Sequence, residues 1–166
     1  LSAKEKGIPA TGYDLSPLAV FVSRAKIANY SVSKLERAWT HLRKHIDSAK
    51  WKAVKGEYPE LVRKALPGKL LAAFESVQSE IGAVSATETE RDFLKLALLT
   101  TLPHFSRAAA TGGWLKWVDN GREASSLLSV LSDRVQSMLG DIKESQFPIA
   151  SSWRVDCADA RALPDP

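Results

Sequence analysis

Residues 11–26 read TGYDLSPLAVFVSRAK, and this stretch sets the predicted fold class. A short apolar and aromatic run ends in the carboxylate of Asp14, and a run with helical spacing begins soon after it. Ser16 is a favoured residue at a helix N-cap, and Pro17 suits the first helical position. The stretch therefore predicts a strand that ends at Asp14 and leads directly into a helix over residues 17–29.

The remainder of the chain is predicted to be mainly helical, with one more strand near its end. Apolar residues recur at helical spacing in several segments between the two strands. We expect strands over 8–14 and 150–156, helices over 17–29, 32–54, 69–83 and 123–144, a short helical piece from Tyr58-Pro59 to Pro67-Gly68, and a helix beginning at Thr87.

The helix beginning at Thr87 has the clearest start signal in the sequence. Thr87 and Glu90 have capping-box spacing, in which each side chain accepts a hydrogen bond from the other residue's backbone. The following run FLKLALLTTL, residues 93–102, is apolar nearly all round, which predicts a central position in the core. Pro103 is expected to kink or end this helix, and the glycines at 112–113 to form a flexible joint.

The composition predicts a single soluble cytoplasmic domain. The chain has 166 residues, of which 45% are hydrophobic and 25% charged. No apolar run approaches the roughly 20 residues that a membrane-spanning helix needs. Cys157 is the only cysteine, which excludes a disulfide framework and favours a reducing compartment. The net charge of +4 mildly favours an anionic partner.

Both ends of the sequence suggest an internal piece of a longer protein. Residue 1 is not Met, and LSAKEKG reads as the last turns of a helix stopped by Gly7. The other end, ADARALPDP, is a proline-rich loop that follows the second strand directly. We therefore expect flanking segments on both sides.

Each predicted strand delivers an acid at its carboxyl end, Asp14 in the first case and Asp159 in the second. In open α/β sheets, ligands bind in the crevice outside the carboxyl ends of the strands. Two acids at neighbouring strand ends suit the two polar parts of a nucleoside, which are the ribose hydroxyls and the exocyclic amine. The pattern therefore predicts a nucleoside site on an α/β fold.

The same stretches resemble a known family. KGIPATGYDLSPLAVFVSRAK resembles the second motif region of bacterial DNA amino-methyltransferases, the adenine-N6 and cytosine-N4 class. VDCADARALP resembles the next motif, and DFLKLALLTTLPHFSRAAATGGWLKW is similar to a helical segment between these motifs in one branch. The resemblance implies that residues 1–30 and 148–166 belong to a Rossmann-like cofactor-binding domain, and that 31–147 form a helical insertion.

The resemblance also implies roles for particular residues. Asp14 matches the acid that receives the ribose hydroxyls of S-adenosylmethionine, and Asp159 the acid that accepts from its adenine amine. Leu15 and Ala160 lie where the family packs apolar groups or backbone against the adenine. The implied activity is methyl transfer to an exocyclic amine of adenine or cytosine in DNA, within a restriction-modification or related defence system.

Two motifs of the family lie outside this sequence. The glycine-rich Phe-x-Gly-x-Gly motif belongs before residue 1, and the catalytic Pro-Pro-Tyr loop belongs after Pro166. No residue of the chain is therefore assigned a catalytic role. We expect the 166 residues alone to be inactive and to bind the cofactor weakly or not at all.

The region from 24 to 69 is strongly basic, with twelve Lys and Arg residues against four acids. Four aromatic residues are interleaved with these cations, and basic patches beside aromatics suit a phosphate backbone and unstacked bases. We hypothesise that this region contacts DNA through Lys44, Lys50 and Lys52. The alternative is a solvated surface with Trp39 in the core.

Other functions remain open at this point. The chain is alternatively a non-catalytic helical module that binds nucleic acid or protein, or part of a methyltransferase of the same fold that acts on RNA or protein. His41 and His45 are four residues apart, a spacing that can bind zinc, but no third ligand is evident. We therefore assign no metal.

Overall fold

The computed structural model describes residues 1–46, 50–118, 122–145, 152–159 and 161. These residues form a mainly helical protein of mixed α/β class with two small sheets. The elements in chain order are α1 Ser2–Glu5, β1 Ala10–Asp14, α2 Pro17–Ile27, α3 Val32–His45, α4 Glu60–Ala65, α5 Lys69–Ala83, α6 Glu88–Thr101, β2 Ala108–Thr111, β3 Trp114–Trp117, α7 Leu127–Glu144 and β4 Trp153–Cys157. No helix in these ranges is long and apolar enough to cross a membrane.

The core lies among the longer helices, and α6 is at its centre. α6 packs against α2, α3, α5 and α7, and it buries residues on most of its surface, as its nearly all-round apolar sequence predicts. The largest fully buried side chains include Leu35, Leu42, Ile81, Phe93, Leu94, Phe105, Leu127, Leu131 and Leu139. The apolar residues that recur at helical spacing in α3, α5 and α7 thus include those that face the core.

The predicted capping box at the start of α6 is confirmed. The Thr87 hydroxyl accepts from the Glu90 backbone N–H at 3.5 Å, and the Glu90 carboxylate accepts from the Thr87 backbone N–H at 2.7 Å. The helix ends at Thr101, and a 3₁₀ turn over Leu102–His104 contains Pro103. The proline therefore ends the α-helix, as predicted.

The prediction for α3 was wrong at its C-terminal end, because the helix stops at His45 and not near residue 54. Residues 52–56 run beside α5, whose side chains accept hydrogen bonds from their backbone. The Lys52 backbone N–H donates to the Ser76 hydroxyl, and the backbone N–H groups of Lys55 and Gly56 donate to the Glu75 carboxylate. These tertiary hydrogen bonds replace the helical ones, so the apolar spacing alone did not extend the helix.

Residues 108–117 form an antiparallel hairpin that the sequence reading missed. β2 and β3 pair from Ala108 opposite Trp117 to Thr111 opposite Trp114. The expected flexible joint at 112–113 is the two-residue turn of this hairpin. Gly112 has φ 73°, a backbone conformation that glycine adopts readily.

The second sheet joins the two ends of the chain. β1 and β4 pair in parallel, with Ala10 opposite Trp153 and Asp14 opposite Cys157. Both predicted strands are confirmed over most of their length, since β1 starts at Ala10 and β4 at Trp153, and residues 150–151 lie outside the described residues. Only these two strands form this sheet in the described part of the chain, so a full Rossmann-like sheet stays a prediction.

α2 covers the parallel sheet and also reaches α6. Its buried residues are Val20 and Ala25. Leu18, near the start of α2, is exposed. The proposed division into residues 1–30 with 148–166, and 31–147, stays a prediction.

Candidate functional site

The parallel register brings the two predicted acids to one edge of the sheet. Asp14 ends β1, and its strand partner Cys157 lies two residues before Asp159. The loops that follow the strands also touch each other. The Ala158 backbone N–H donates to the Asp14 carbonyl at 3.2 Å, and the Cys157 thiol lies 3.6 Å from the Leu15 carbonyl oxygen.

The Asp14 side chain is held by the turn that leads into α2. Its Oδ1 accepts a hydrogen bond from the Ser16 backbone N–H at 2.7 Å, an Asx-turn geometry. The Ser16 hydroxyl in turn accepts from the Ala19 backbone N–H at 3.3 Å and caps the helix. No described residue donates to Asp14 Oδ2, so the exposed carboxylate keeps acceptor capacity.

Asp159 is engaged by a neighbouring cation. Arg161 Nη2 donates to Asp159 Oδ2 at 2.7 Å, and Arg161 Nε donates to Oδ1 at 3.0 Å. The Arg161 backbone N–H also donates to Oδ1, at 2.9 Å. Hydrogen bonds from the Arg161 side chain lower the pKa of the Asp159 carboxyl. Arg161 Nε also lies 3.2 Å from Oδ2, so Arg161 fills the roughly four acceptor sites that a carboxylate offers.

Contacts across the sheet fix α2 relative to β4. Arg24 Nε donates to the Val155 carbonyl at 2.6 Å, and Arg24 Nη2 lies 3.1 Å from the Asp156 carboxylate. These contacts join residues more than 100 positions apart in sequence. They hold the helix that Ser16 caps against the strand that leads to Asp159.

Lys4 joins α1 to the far end of α2. Its ammonium group is buried and donates to the carbonyls of Ile27 at 2.7 Å and Ala28 at 3.0 Å. It also lies 5.3 Å from the centroid of the Trp153 ring. Burial lowers the pKa of this ammonium group. A lysine at a helix C-terminus satisfies carbonyls that have no helical partner.

The apolar residue predicted to contact adenine is accessible. Leu15 is 64% exposed at the sheet edge, directly after Asp14. It therefore presents apolar surface beside the two carboxylates. Ala160, the other residue predicted to contact adenine, lies outside the described residues.

Two of the three predicted DNA-contacting lysines line one groove. Lys50 and Lys52 lie in a groove of about 920 Å³, whose other cations are Lys69, Arg107 and Arg122. Lys52 also forms a salt bridge with Glu80 of α5. Lys44 is exposed on α3 and is not among the described residues that line this groove.

The four aromatic residues interleaved with the cations are buried or partly buried, and Trp39 lies in the core, as the alternative interpretation expected. Trp39 is only 4% exposed and belongs to the core, and Tyr30, Trp51 and Tyr58 pack against that core. Trp51 also lines the basic groove, whereas the exposed Trp114 and Trp117 belong to the hairpin, which was not predicted. Two glycines between AAAT and WLKW are a hairpin signal that would have located it.

The two histidines of α3 stack on each other. The ring centroids of His41 and His45 are 4.3 Å apart, and the His45 Nδ1 lies 2.8 Å from the His41 carbonyl oxygen. Across the described ranges, no three His, Cys, Asp or Glu side chains come together as metal ligands. The pair therefore carries no metal-site argument.

Comparison of the chain with models of protein families, with curated proteins and with solved structures gives no match.

Proposed function

We propose that this chain supplies the nucleoside-holding edge of an S-adenosylmethionine-dependent DNA amino-methyltransferase. The parallel pairing of β1 with β4 is the observation that carries the proposal, because it brings Asp14 and Asp159 to the same end of one sheet. Strand carboxyl ends are where α/β proteins bind nucleotides and related cofactors.

The side chains at this edge suit an adenosine group. Asp14 keeps an acceptor oxygen beyond the one held by Ser16, which fits a ribose hydroxyl. Arg161 lowers the pKa of the Asp159 carboxyl, and the ionised carboxylate would accept from an exocyclic amine that takes the place of one Arg161 donor. Leu15 presents apolar surface for the adenine face. Together these residues would hold the cofactor at both polar ends of its nucleoside.

The role assigned to the chain is binding and orientation. S-adenosylmethionine supplies the methyl group on its sulfonium when it is bound. Positioning of reacting groups is itself a large part of catalysis, because a small misplacement lowers the rate strongly. In this proposal, Ser16 and Arg24 act as positioning residues, since the first holds the Asp14 turn and the second holds α2 against β4.

The test is made on the protein that the complete reading frame encodes. Isothermal titration with S-adenosylhomocysteine compares that protein with Asp14→Asn and Asp159→Asn, and Asp133→Asn on α7 is the matched control at an exposed site. Each site variant should bind about 10-fold more weakly or worse, because hydrogen bonds to a charged group contribute about 1.5–3 kcal/mol. Unchanged affinity in both site variants would refute the proposal.

A second candidate is a non-catalytic module that binds nucleic acid through the helical region. The groove that gathers Lys50, Lys52, Lys69, Arg107 and Arg122 favours it. The same titration distinguishes the two candidate functions. A protein that binds DNA but releases no heat with S-adenosylhomocysteine is the module and not the methyltransferase.

A further inference from the structure

We propose that the β2–β3 hairpin and the basic groove at its base form one nucleic-acid-binding surface, in which Trp114 stacks on an unpaired base and the groove cations bind backbone phosphates. The inference rests on the proposed function only for the choice of DNA as the nucleic acid.

The groove has a strongly cationic lining. Five cations face it, and Glu123 is the one acid among the described lining residues. Lys52 is partly neutralised by Glu80. Lys50, Lys69 and Arg107 form no salt bridge with any other described residue, so their charges are available to a partner. Such a surface complements a chain of phosphates.

The hairpin presents large apolar side chains to solvent. Trp114 is 79% exposed and Trp117 is 50% exposed, and Leu115 and Lys116 between them are exposed as well. The opposite strand carries only Ala and Thr, so nothing large on β2 shields them. Exposed tryptophans are costly in water, and base stacking on an aromatic ring is a use that tolerates any sequence.

The backbone joins the hairpin to the groove. The Arg107 backbone N–H donates to the Ala65 carbonyl at 2.8 Å, and the Val118 backbone N–H donates to the Arg107 carbonyl at 2.8 Å. Arg107 thus belongs to both the hairpin base and the groove lining. The four residues of β2 span about 13 Å. Single-stranded nucleic acid covers that distance in a few nucleotides.

Charge favours nucleic acid over a second copy of the chain. A symmetric dimer through this face would bring each basic groove against its own copy, because a two-fold interface pairs the same surface patch on both subunits. Like charges placed opposite each other oppose association. A polyanion with stackable bases instead satisfies both the cations and the tryptophans.

The test measures binding of a fluorescein-labelled, mixed-sequence 20-nucleotide single strand by fluorescence anisotropy over a salt series. Trp114→Ala should weaken binding about 5- to 100-fold, and Trp114→Phe should restore most of the affinity. Lys69→Gln with Arg107→Gln should reduce the slope of log K against log salt by about 1.4, since each phosphate contact on a single strand contributes about 0.7. Lys26→Gln with Arg43→Gln removes the same charge away from the groove and should leave the slope nearly unchanged.

Two results would overturn the inference. The first is equal loss of affinity in the groove pair and the control pair, which would mean that only overall charge matters. The second is unchanged DNA affinity in Trp114→Ala, and loss of self-association in that variant by analytical ultracentrifugation would then assign the hairpin to contact with a second copy. Asp14→Asn leaves this surface intact, so its affinity for the oligonucleotide should stay normal. This holds whether or not Asp14 binds a nucleoside, so the two proposals are tested separately.

Discussion

The parallel sheet and the helical core differ in how deeply their residues are buried. Neither β1 nor β4, both fully described, contains a fully buried residue, whereas α6 alone buries seven. The helices therefore bury most of the apolar surface that stabilises the chain. The sheet edge is left open, with its carboxylates in contact with solvent. Stability and the proposed chemistry are thus placed in different regions.

The largest expected effect tests where the stability lies. Phe105 is fully buried and meets the Phe74 ring edge-on at 5.7 Å. Phe105→Ala should lower the free energy of unfolding by about 3–5 kcal/mol, and Val155→Ala on half-buried β4 by only about 1 kcal/mol. Urea denaturation followed by far-UV circular dichroism measures both. Equal losses would show that the sheet contributes as much as the core.

A smaller effect tests whether the sheet region opens separately from the core. Lys4→Met keeps the apolar stem and removes two hydrogen bonds to the end of α2, so stability should fall by about 2 kcal/mol. Amide hydrogen exchange should speed up in β1 more than in α6. Lys6→Met, at an exposed neighbouring site, should change stability by less than about 0.5 kcal/mol. Equal acceleration in both elements would contradict a separate opening.

The smallest effect concerns the start of α6 and its dependence on pH. Thr87→Ala removes the capping box and should cost about 1 kcal/mol, while Thr89→Ala two residues later is the control. The hydrogen bond from the Thr87 side chain lowers the pKa of Glu90. That stabilisation is complete above the unfolded pKa of about 4.3 and is lost as the pH falls through the lower folded value.

The lowered pKa of Glu90 sets the expected change of stability with pH. The wild-type protein should lose stability below about pH 5, and Thr87→Ala should lose less over the same interval. Urea midpoints measured from pH 7 to pH 3 give both slopes. Parallel slopes in the two proteins would mean that Thr87 does not set the Glu90 pKa.

Local signals predicted much of the fold. α5 has the predicted bounds of 69–83, and α6 starts at the predicted capping box, because both patterns depend on neighbours within one or two turns. The end of α3 was mispredicted, since Glu75 and Ser76 are close to it only in the folded chain. The hairpin was missed because its glycine turn was interpreted as a joint.

The position of the two acids was predicted from the sequence, and their role in a nucleoside site stays a prediction. Asp14 and Asp159 were expected at neighbouring strand ends, and the parallel pairing brings them to one edge. Arg161 was not foreseen as the partner of Asp159. Trp39 is buried, which was one of the two interpretations, and the exposed Trp114 was given no role from the sequence. Burial depends on which helix faces meet, and spacing along one segment does not specify that.

The sequence by itself determined the helices, the caps, the two strands and an acid at the end of each, because these depend on short-range spacing and side-chain chemistry. Only the tertiary structure decided that β1 lies beside β4, that Arg107 and Lys50 line one groove, and that the hairpin tryptophans face solvent. These features depend on contacts between residues far apart in the chain, which form only when the apolar faces of the helices are buried together.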